Sequence, residues 1–243
     1  MIPEDHPRYQ SLAVRERLAR YAQEGIVTLE GLTAHGRGEA FDYLMGEETS
    51  PSALLAEKIA AALLLLAERP VISVNGNTAA LAAGLIADLQ EASGAAVEVN
   101  LFHRTSERVA KITRLLEDQG VRVLTGGPER LLPLSHDRAL CLRAGIGSAD
   151  LVLVPLEDGD RCQALCDMGK TVITIDLNPL SRTARTADLT IVDELTRAVP
   201  AITRFCRELD EKEATTLSEG FDNREFLQEA IRAIIQRLEH ALD

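Results

Sequence analysis

Apolar positions change their spacing along this chain. In "SLAVRERLARYAQEG" (11–25) they recur at helical spacing and stop at Gly25, which predicts an amphipathic helix carrying Arg15. A second helix is expected from "TSPSALLAEK", with Ser50 as its cap and Pro51 in its first turn, ending before Pro70. From there the apolar residues gather in short, nearly continuous runs: "PVISV" (70–74), "AVEVNLF" (96–102), "VRVL" (121–124), "LVLVPL" (151–156), "TVITIDL" (171–177) and "LTIVD" (189–193). Continuous rather than alternating runs imply strands buried on both faces, and amphipathic stretches such as "SERVAKITRLLEDQG" (106–120) lie between several of them. The expected fold is α/β, a mostly parallel sheet flanked by helices. A helical N-terminal part (1–69), a sheet core (70–205) and a C-terminal helical segment (206–243) are read as one domain. "RELDEKEATTLSEGFDNREF" (207–226) reads as a polar break before a last helix, and no repeat or low-complexity linker interrupts the chain.

Composition narrows the possible functions. At 243 residues and 46% hydrophobic there is ample material for a core. The formal net charge of −12 argues against nucleic-acid or anionic-membrane partners, which need basic surface. The longest apolar run, "IAAALLLLA" (59–67), is far short of the roughly 20 residues of a membrane span. The polar start "IPEDHPRYQS" does not read as a secretory signal, so a cytoplasmic protein is expected. Cys141, Cys162, Cys166 and Cys206 lack paired CxxC spacing and are read as reduced structural thiols.

In a parallel sheet, ligands bind beyond the carboxyl ends of the strands. There the sequence places "NGNTAAL", "HRTSER", "EDGDR", "DLNPLSRTAR" and "DEL", and with them Arg104, Arg161, Arg182 and Arg185 in an otherwise acidic chain. Guanidinium pairs with phosphate and carboxylate bidentately, so the set predicts a multi-anion site, with surface salt bridges as the plainer alternative. Glu157, Asp158 and Asp160 beside Arg161 point to a cation, either Mg²⁺ or a substrate ammonium; helix capping would also account for either aspartate. In "AHGRGEAFDYL" (34–44), Arg37 between two glycines reads as a phosphate-binding loop or an ordinary surface loop. His35 beside it is either a catalytic base or a hydrogen-bonded structural group. No G-x-x-x-x-G-K-[ST] and no complete G-x-G-x-x-G occurs, which argues against a P-loop ATPase and a nicotinamide cofactor.

Six stretches taken in order, "HPRYQSL", "AHGRGEAFDYL", "PVISVNGN", "VEVNLFHRT", "VPLEDGDR" and "IDLNPLSRTARTADLTIVD", together resemble the archaeal phosphopantothenate synthetase (4-phosphopantoate:β-alanine ligase) family. The resemblance spans residues 3 to about 205. It implies a Rossmann-like homodimer that uses ATP to activate 4-phosphopantoate as an acyl-adenylate and joins it to β-alanine, releasing AMP and diphosphate. It places ATP on Arg15, Arg37, Asp176, Leu177, Asn178, Arg182, Thr183, Glu194 and Leu195. At the last pair Glu-Leu stands where many relatives carry Asn-Ile. Arg37 and Arg182, with Mg²⁺, suit charge neutralisation at the transferring phosphoryl group, with His35 as a further catalytic candidate, and Asp176 suits a ribose hydroxyl. Arg104 and Arg161 remain for the substrate phosphate, Asn75 and Asn77 for its hydroxyl and carboxylate, and Asp158 or Asp160 for the β-alanine ammonium. A non-catalytic adenine-nucleotide-binding domain and another acid–amine ligase on the same scaffold are the alternatives.

Overall fold

The computed structural model describes Pro3, Asp5, His6 and residues 8–241. Three helices come first: α1 (Tyr9–Gln23), α2 (Leu29–Met45) and α3 (Pro51–Leu66). Two of them end as the sequence signals. Gly25 follows α1 at φ +78°, and the Ser50 hydroxyl accepts from Ala53 N one residue ahead of Pro51 at the start of α3. The stretch "AHGRGEAFDYL" departs from the expected loop and lies inside α2. Strong signals at both ends account for this: the Thr28 side chain accepts from Gly31 N, and Gly46 closes the helix at φ +99°. Such caps offset the roughly 1 kcal/mol that each interior glycine costs a helix.

The remainder alternates strand and helix: β1 (Pro70–Val74), α4 (Gly76–Ser93), β2 (Ala96–Val99), α5 (Ser106–Glu117), a two-stranded antiparallel ribbon of β3 (Glu129–Arg130) and β4 (Leu140–Cys141), then β5 (Leu151–Leu153), α6 (Gly159–Asp167), β6 (Thr171–Ile175), α7 (Arg182–Thr186), β7 (Leu189–Ile191), α8 (Leu195–Glu208), α9 (Glu211–Ser218) and α10 (Asn223–Glu239). Five strands pair in parallel in the order β2-β1-β5-β6-β7. The chain therefore winds one way from β1 to β2 and the other way from β5 onward, which puts the topological switch point between β1 and β5. Successive residues of one strand serve two cores. Ile72, Val74, Leu153, Ile173 and Ile175 join the cluster that includes helices α3, α4 and α8. Val71, Val152, Val154 and Val172 join a second cluster with Cys141, Ile146, Cys162 and Leu165. Burial on both faces is why the strand runs are unbroken in hydrophobicity.

Two sequence expectations change. "VRVL" forms no strand; it contributes one isolated bridge, Val97 to Val123, and a bond from Leu124 N to Val97 O. The polar stretch after residue 206 contains α9, started by a reciprocal capping box between Asp210 and Glu213 and anchored by buried Ala214. α10 then returns to the sheet, where the Asn223 side chain donates to Ala184 O and Ala187 O and accepts from Thr190 N. Among the described residues no helix is long and apolar enough to cross a membrane.

Candidate active site

The crevice at the switch point is braced by Asn75, which also caps α4. Its Nδ2 donates to Pro155 O (3.1 Å) and Leu156 O (3.0 Å), while its Oδ1 accepts from Thr78 N (2.9 Å) and Thr78 Oγ1 (3.1 Å). The side chain is thus spent on tying the end of β1 to the end of β5. Asn77 is likewise engaged, donating from Nδ2 to Gly31 O at 2.8 Å, and a Cβ on Gly31 would lie 2.5 Å from Asn77 Oδ1. These contacts seat the start of α2 against α4.

The rest of α2 runs toward the turn that follows β6. A Cβ on Gly38 would rest 3.8 Å from Leu177 Cδ1, and one on Gly36 would meet nothing within 4 Å. Neither distance excludes a side chain, so within this chain the two glycines are required neither by close packing nor by backbone conformation. Arg37 lies between them, exposed, with no hydrogen bond or ion pair among the described residues. Arg15 on α1 is half-exposed and donates from Nε to Glu39 (2.8 and 3.0 Å). His35 Nε2 is buried without a partner; burial pushes the imidazole below its ordinary pKa against the opposing pull of Glu39. In the turn after β6, Asp176 accepts from Asn178 N (2.9 Å) and from the Ser181 hydroxyl, and burial raises its carboxyl pKa. Leu177 is buried, and Asn178 Oδ1 accepts from Leu180 N. Thr183 Oγ1 donates to Glu157 O (2.8 Å), joining α7 to the loop after β5.

Arg182 pairs with Asp160 on the surface, both side chains more than half exposed. Its aliphatic stem passes directly over Gly159, where a Cβ would fall 2.8–2.9 Å from three Arg182 carbons. Gly159 is the space in which Arg182 sits. Arg185, the next arginine on, donates from Nε to Ser181 O.

Arg161 occupies a different environment. Its side chain is 0% exposed, it pairs with Glu157, and it donates to Ser73 Oγ at 3.1 Å. Glu157 also receives Arg138 Nη2 at 3.2 Å, and Arg138 itself is almost wholly buried. Burial alone would raise the Glu157 carboxyl, but Arg138 and Arg161 together hold it below the ordinary range. An arginine locked in this dry triad has no free face for a phosphate, which removes Arg161 from the set of exposed anion binders. Asp158, half-exposed at the rim, lies 3.5 Å from Arg138 Nε; burial and the Glu157 charge raise its pKa, while Arg138 and His136 oppose them. Arg104 keeps a free guanidinium: Nη1 donates to Val99 O (3.3 Å), and no carboxylate pairs with it among the described residues.

At the end of β7, Glu194 caps α8 by accepting from Thr196 N (2.6 Å) and the Thr196 hydroxyl, and Leu195 is buried. The side chain of Glu194 is therefore occupied locally, which leaves the backbone of this pair as its recognition surface. Asp193 accepts from Thr49 Oγ1 (2.6 Å) and Arg197 Nε (2.9 Å), and Arg197 also reaches Asp42 on α2. Fully buried Glu57 faces this group with both oxygens unpartnered, and burial together with Asp193 pushes its pKa up to about 9. The sequence reading missed Arg138, His136 and Glu57, and gave Asp193 no role although it opens the strand-end stretch "DEL". The first two lie outside every apolar run, in the turn between β3 and β4, and the third is one acid inside a helix.

A doubly covered parallel sheet with a switch point, and with Arg37 and Arg104 left without carboxylate partners among the described residues near its carboxyl ends, is the architecture of α/β enzymes that bind small ligands there. The sequence profile described as phosphopantothenate/pantothenate synthetase matches residues 52–237, and the chain belongs to that family. The chain is 63% identical to a protein of Methanospirillum hungatei over 243 residues, all of both chains. It is 54% identical to one of Methanosarcina mazei, over 98% of this chain and 95% of the other. It is 48% identical to one of Thermococcus onnurineus, over 98% and 93%. All three relatives are named 4-phosphopantoate–β-alanine ligase.

Proposed function

We propose that this protein condenses 4-phosphopantoate with β-alanine at the expense of ATP, forming 4′-phosphopantothenate, AMP and diphosphate through an acyl-adenylate, a step of coenzyme A synthesis. The observation that carries this reading is the end-to-end 63% identity to a relative bearing that ligase name. The geometry is compatible with the chemistry. A carboxylate oxygen becomes a leaving group once adenylated, and the enzyme's task is to position the reactants and neutralise the triphosphate. Arg37 is exposed and unpaired among the described residues, next to Gly38 near Leu177, and reaches ATP without first breaking a bond. Arg182 reaches it by exchanging Asp160 for phosphate, with Arg15 in support. Asp176 retains lone pairs for a ribose hydroxyl, Thr183 lies beside the phosphates, and the Glu194–Leu195 backbone meets adenine.

The substrate phosphate falls to Arg104, whose guanidinium is free, rather than to Arg161. Asn75 and Asn77 shape the crevice instead of bonding substrate. The ammonium of β-alanine falls to Asp158, the half-exposed carboxylate at the rim beside the β3–β4 turn. No cluster of three His, Cys, Asp or Glu side chains fit for a metal occurs among the described residues. Mg²⁺ enters as the companion of the ATP phosphates, a role that asks for one or two carboxylates rather than a cluster. We also read the protein as a cytoplasmic homodimer, with exposed Leu29, Tyr43, Leu54 and Leu55 as apolar surface for such a contact. The test is AMP release from ATP and β-alanine with 4-phosphopantoate or with pantoate. AMP is expected with 4-phosphopantoate and at a far lower kcat/KM with pantoate, because a site built around a dianion leaves guanidinium unpaired without it. Equal use of both acids would remove the phosphate anchor.

A further inference from the structure

We infer that His136 is the proton acceptor for the incoming amine, and that Asp158, Arg138 and Phe102 hold the amine and the imidazole in place. The inference rests on the ligase reading above. An acyl-adenylate reacts with a neutral amine, whereas an alkylammonium of this kind titrates near pH ~10 and is almost wholly charged at neutral pH. A group at the site has to take that proton.

His136 lies in the turn between β3 and β4, two residues before the buried Arg138. Its ring stacks on Phe102 with centroids 4.7 Å apart and planes 25° apart. Phe102 follows β2 and is itself met edge-on by His103 at 5.0 Å. The turn is fastened to the strand ends: Arg138 Nη1 donates to Asn100 O (3.0 Å), Arg104 N to Asp137 Oδ2 (3.3 Å), and Arg130 Nη1 to His136 O (3.2 Å). The imidazole is thus built into the sheet's carboxyl edge, yet its Nδ1 is buried with no hydrogen-bond partner. A buried polar nitrogen left without a partner is uncommon in folded proteins and calls for a ligand or a chemical role. Arg138, two residues beyond His136, lies 3.5 Å from Asp158 Oδ2, which brings this turn beside the carboxylate read above as the ammonium's partner. The charged and titratable groups around it are Asp158 from the β5 loop, His103 and Arg104 after β2, and Asp137, Arg138 and Arg130 from its own ribbon.

The step balances as follows. One ammonium proton passes to His136 Nδ1. The amine lone pair forms the C–N bond while the acyl–phosphate C–O bond breaks, its electrons leaving on AMP. The second proton, shed by the new amide nitrogen, passes to the departing phosphate and on to solvent.

The test separates the two half-reactions. In His136→Gln and His136→Asn, 4-phosphopantoate-dependent exchange of diphosphate into ATP should stay within about twofold of the native rate. Amide formation with β-alanine at pH 7.5 should fall by about 10²-fold or more. Hydroxylamine, a weakly basic amine that is neutral at this pH, should still trap the acyl group at the native rate. Raising the pH should recover amide formation in the variants, because the free-amine fraction of β-alanine rises about tenfold per pH unit. Exchange serves as the folding control, and Phe102→Leu, which unclamps the ring, should lower the amide step alone and by less. Amide formation within threefold of native, or equal loss of exchange, trapping and amide formation in folded variants, would overturn the assignment. A native enzyme with no exchange at all would overturn the ligase reading, and this inference with it.

Discussion

Arg37 and Arg161 carry the same side chain at the same end of the same sheet, and their surroundings differ completely. Arg37 projects from a glycine-flanked helical turn into solvent with no partner among the described residues. Arg161, one turn into α6, is fully buried and locked with Arg138 onto Glu157. Desolvating a guanidinium is expensive unless it is paired, so the buried pair is held as a unit whose members cannot be removed singly. The free one costs nothing to leave in water and is available to a ligand. An arginine close behind a strand is therefore a ligand candidate only when burial and pairing have left its donors open.

The contrast can be broken at several points. The largest effect is expected on the dry side. Glu157→Gln strands two buried guanidinium groups and should lower the unfolding free energy by about 3–5 kcal/mol, read by urea titration. A loss under about 1 kcal/mol would show that the triad is not held as described. Arg37→Ala should do the reverse, leaving the melting temperature unchanged while lowering kcat/KM for AMP formation by about 10²-fold.

A third variant probes burial without an ion pair. Glu57 titrates at about 9 in the folded protein against an ordinary carboxyl value of 4.5. A raised pKa contributes stability that is fully present below the unfolded value and is lost as pH climbs to the folded one. Between these values the folded chain keeps a proton that the unfolded chain releases, so stability falls with rising pH. Glu57→Gln should flatten that decline. The variant should match the native protein near pH 5 and exceed it by about 1 kcal/mol or more at pH 8, measured as a Tm difference across pH. The smallest effect belongs to the exposed Arg182–Asp160 pair. Asp160→Asn should shift stability by less than about 0.5 kcal/mol and modestly tighten ATP binding in calorimetry, because Arg182 no longer has a partner to give up.

Much of this molecule was legible in the chain. The apolar runs located five parallel strands because a strand covered on both faces has to be apolar at nearly every position, and Gly25, Ser50 and Pro51 marked helix ends through local backbone chemistry. The runs extend past the strands at Asn100–Phe102 and Val154–Leu156, where Asn100 N, Val154 N and Leu156 N still donate to the carbonyls of Val74, Ile173 and Ile175 as the chain turns toward the site, and "VRVL" is apolar yet contributes a single bridge. The two glycines around Arg37 suggested a loop, whereas capping at Thr28 and Gly46 acts on the whole segment and makes it helical, with room for a Cβ at both glycines.

The sequence by itself determined the sheet, the family and the strand-end residues among which a site must lie, because periodicity and local propensity act between near neighbours. Tertiary structure alone decided which of those residues are free. Asn75 is spent on Pro155, Asp160 on Arg182 and Arg161 on Glu157, while Arg138 and His136 reach the crevice from a turn that carries no signal in the pattern. Pairing and burial depend on groups tens of residues apart, and no spacing along the chain records them.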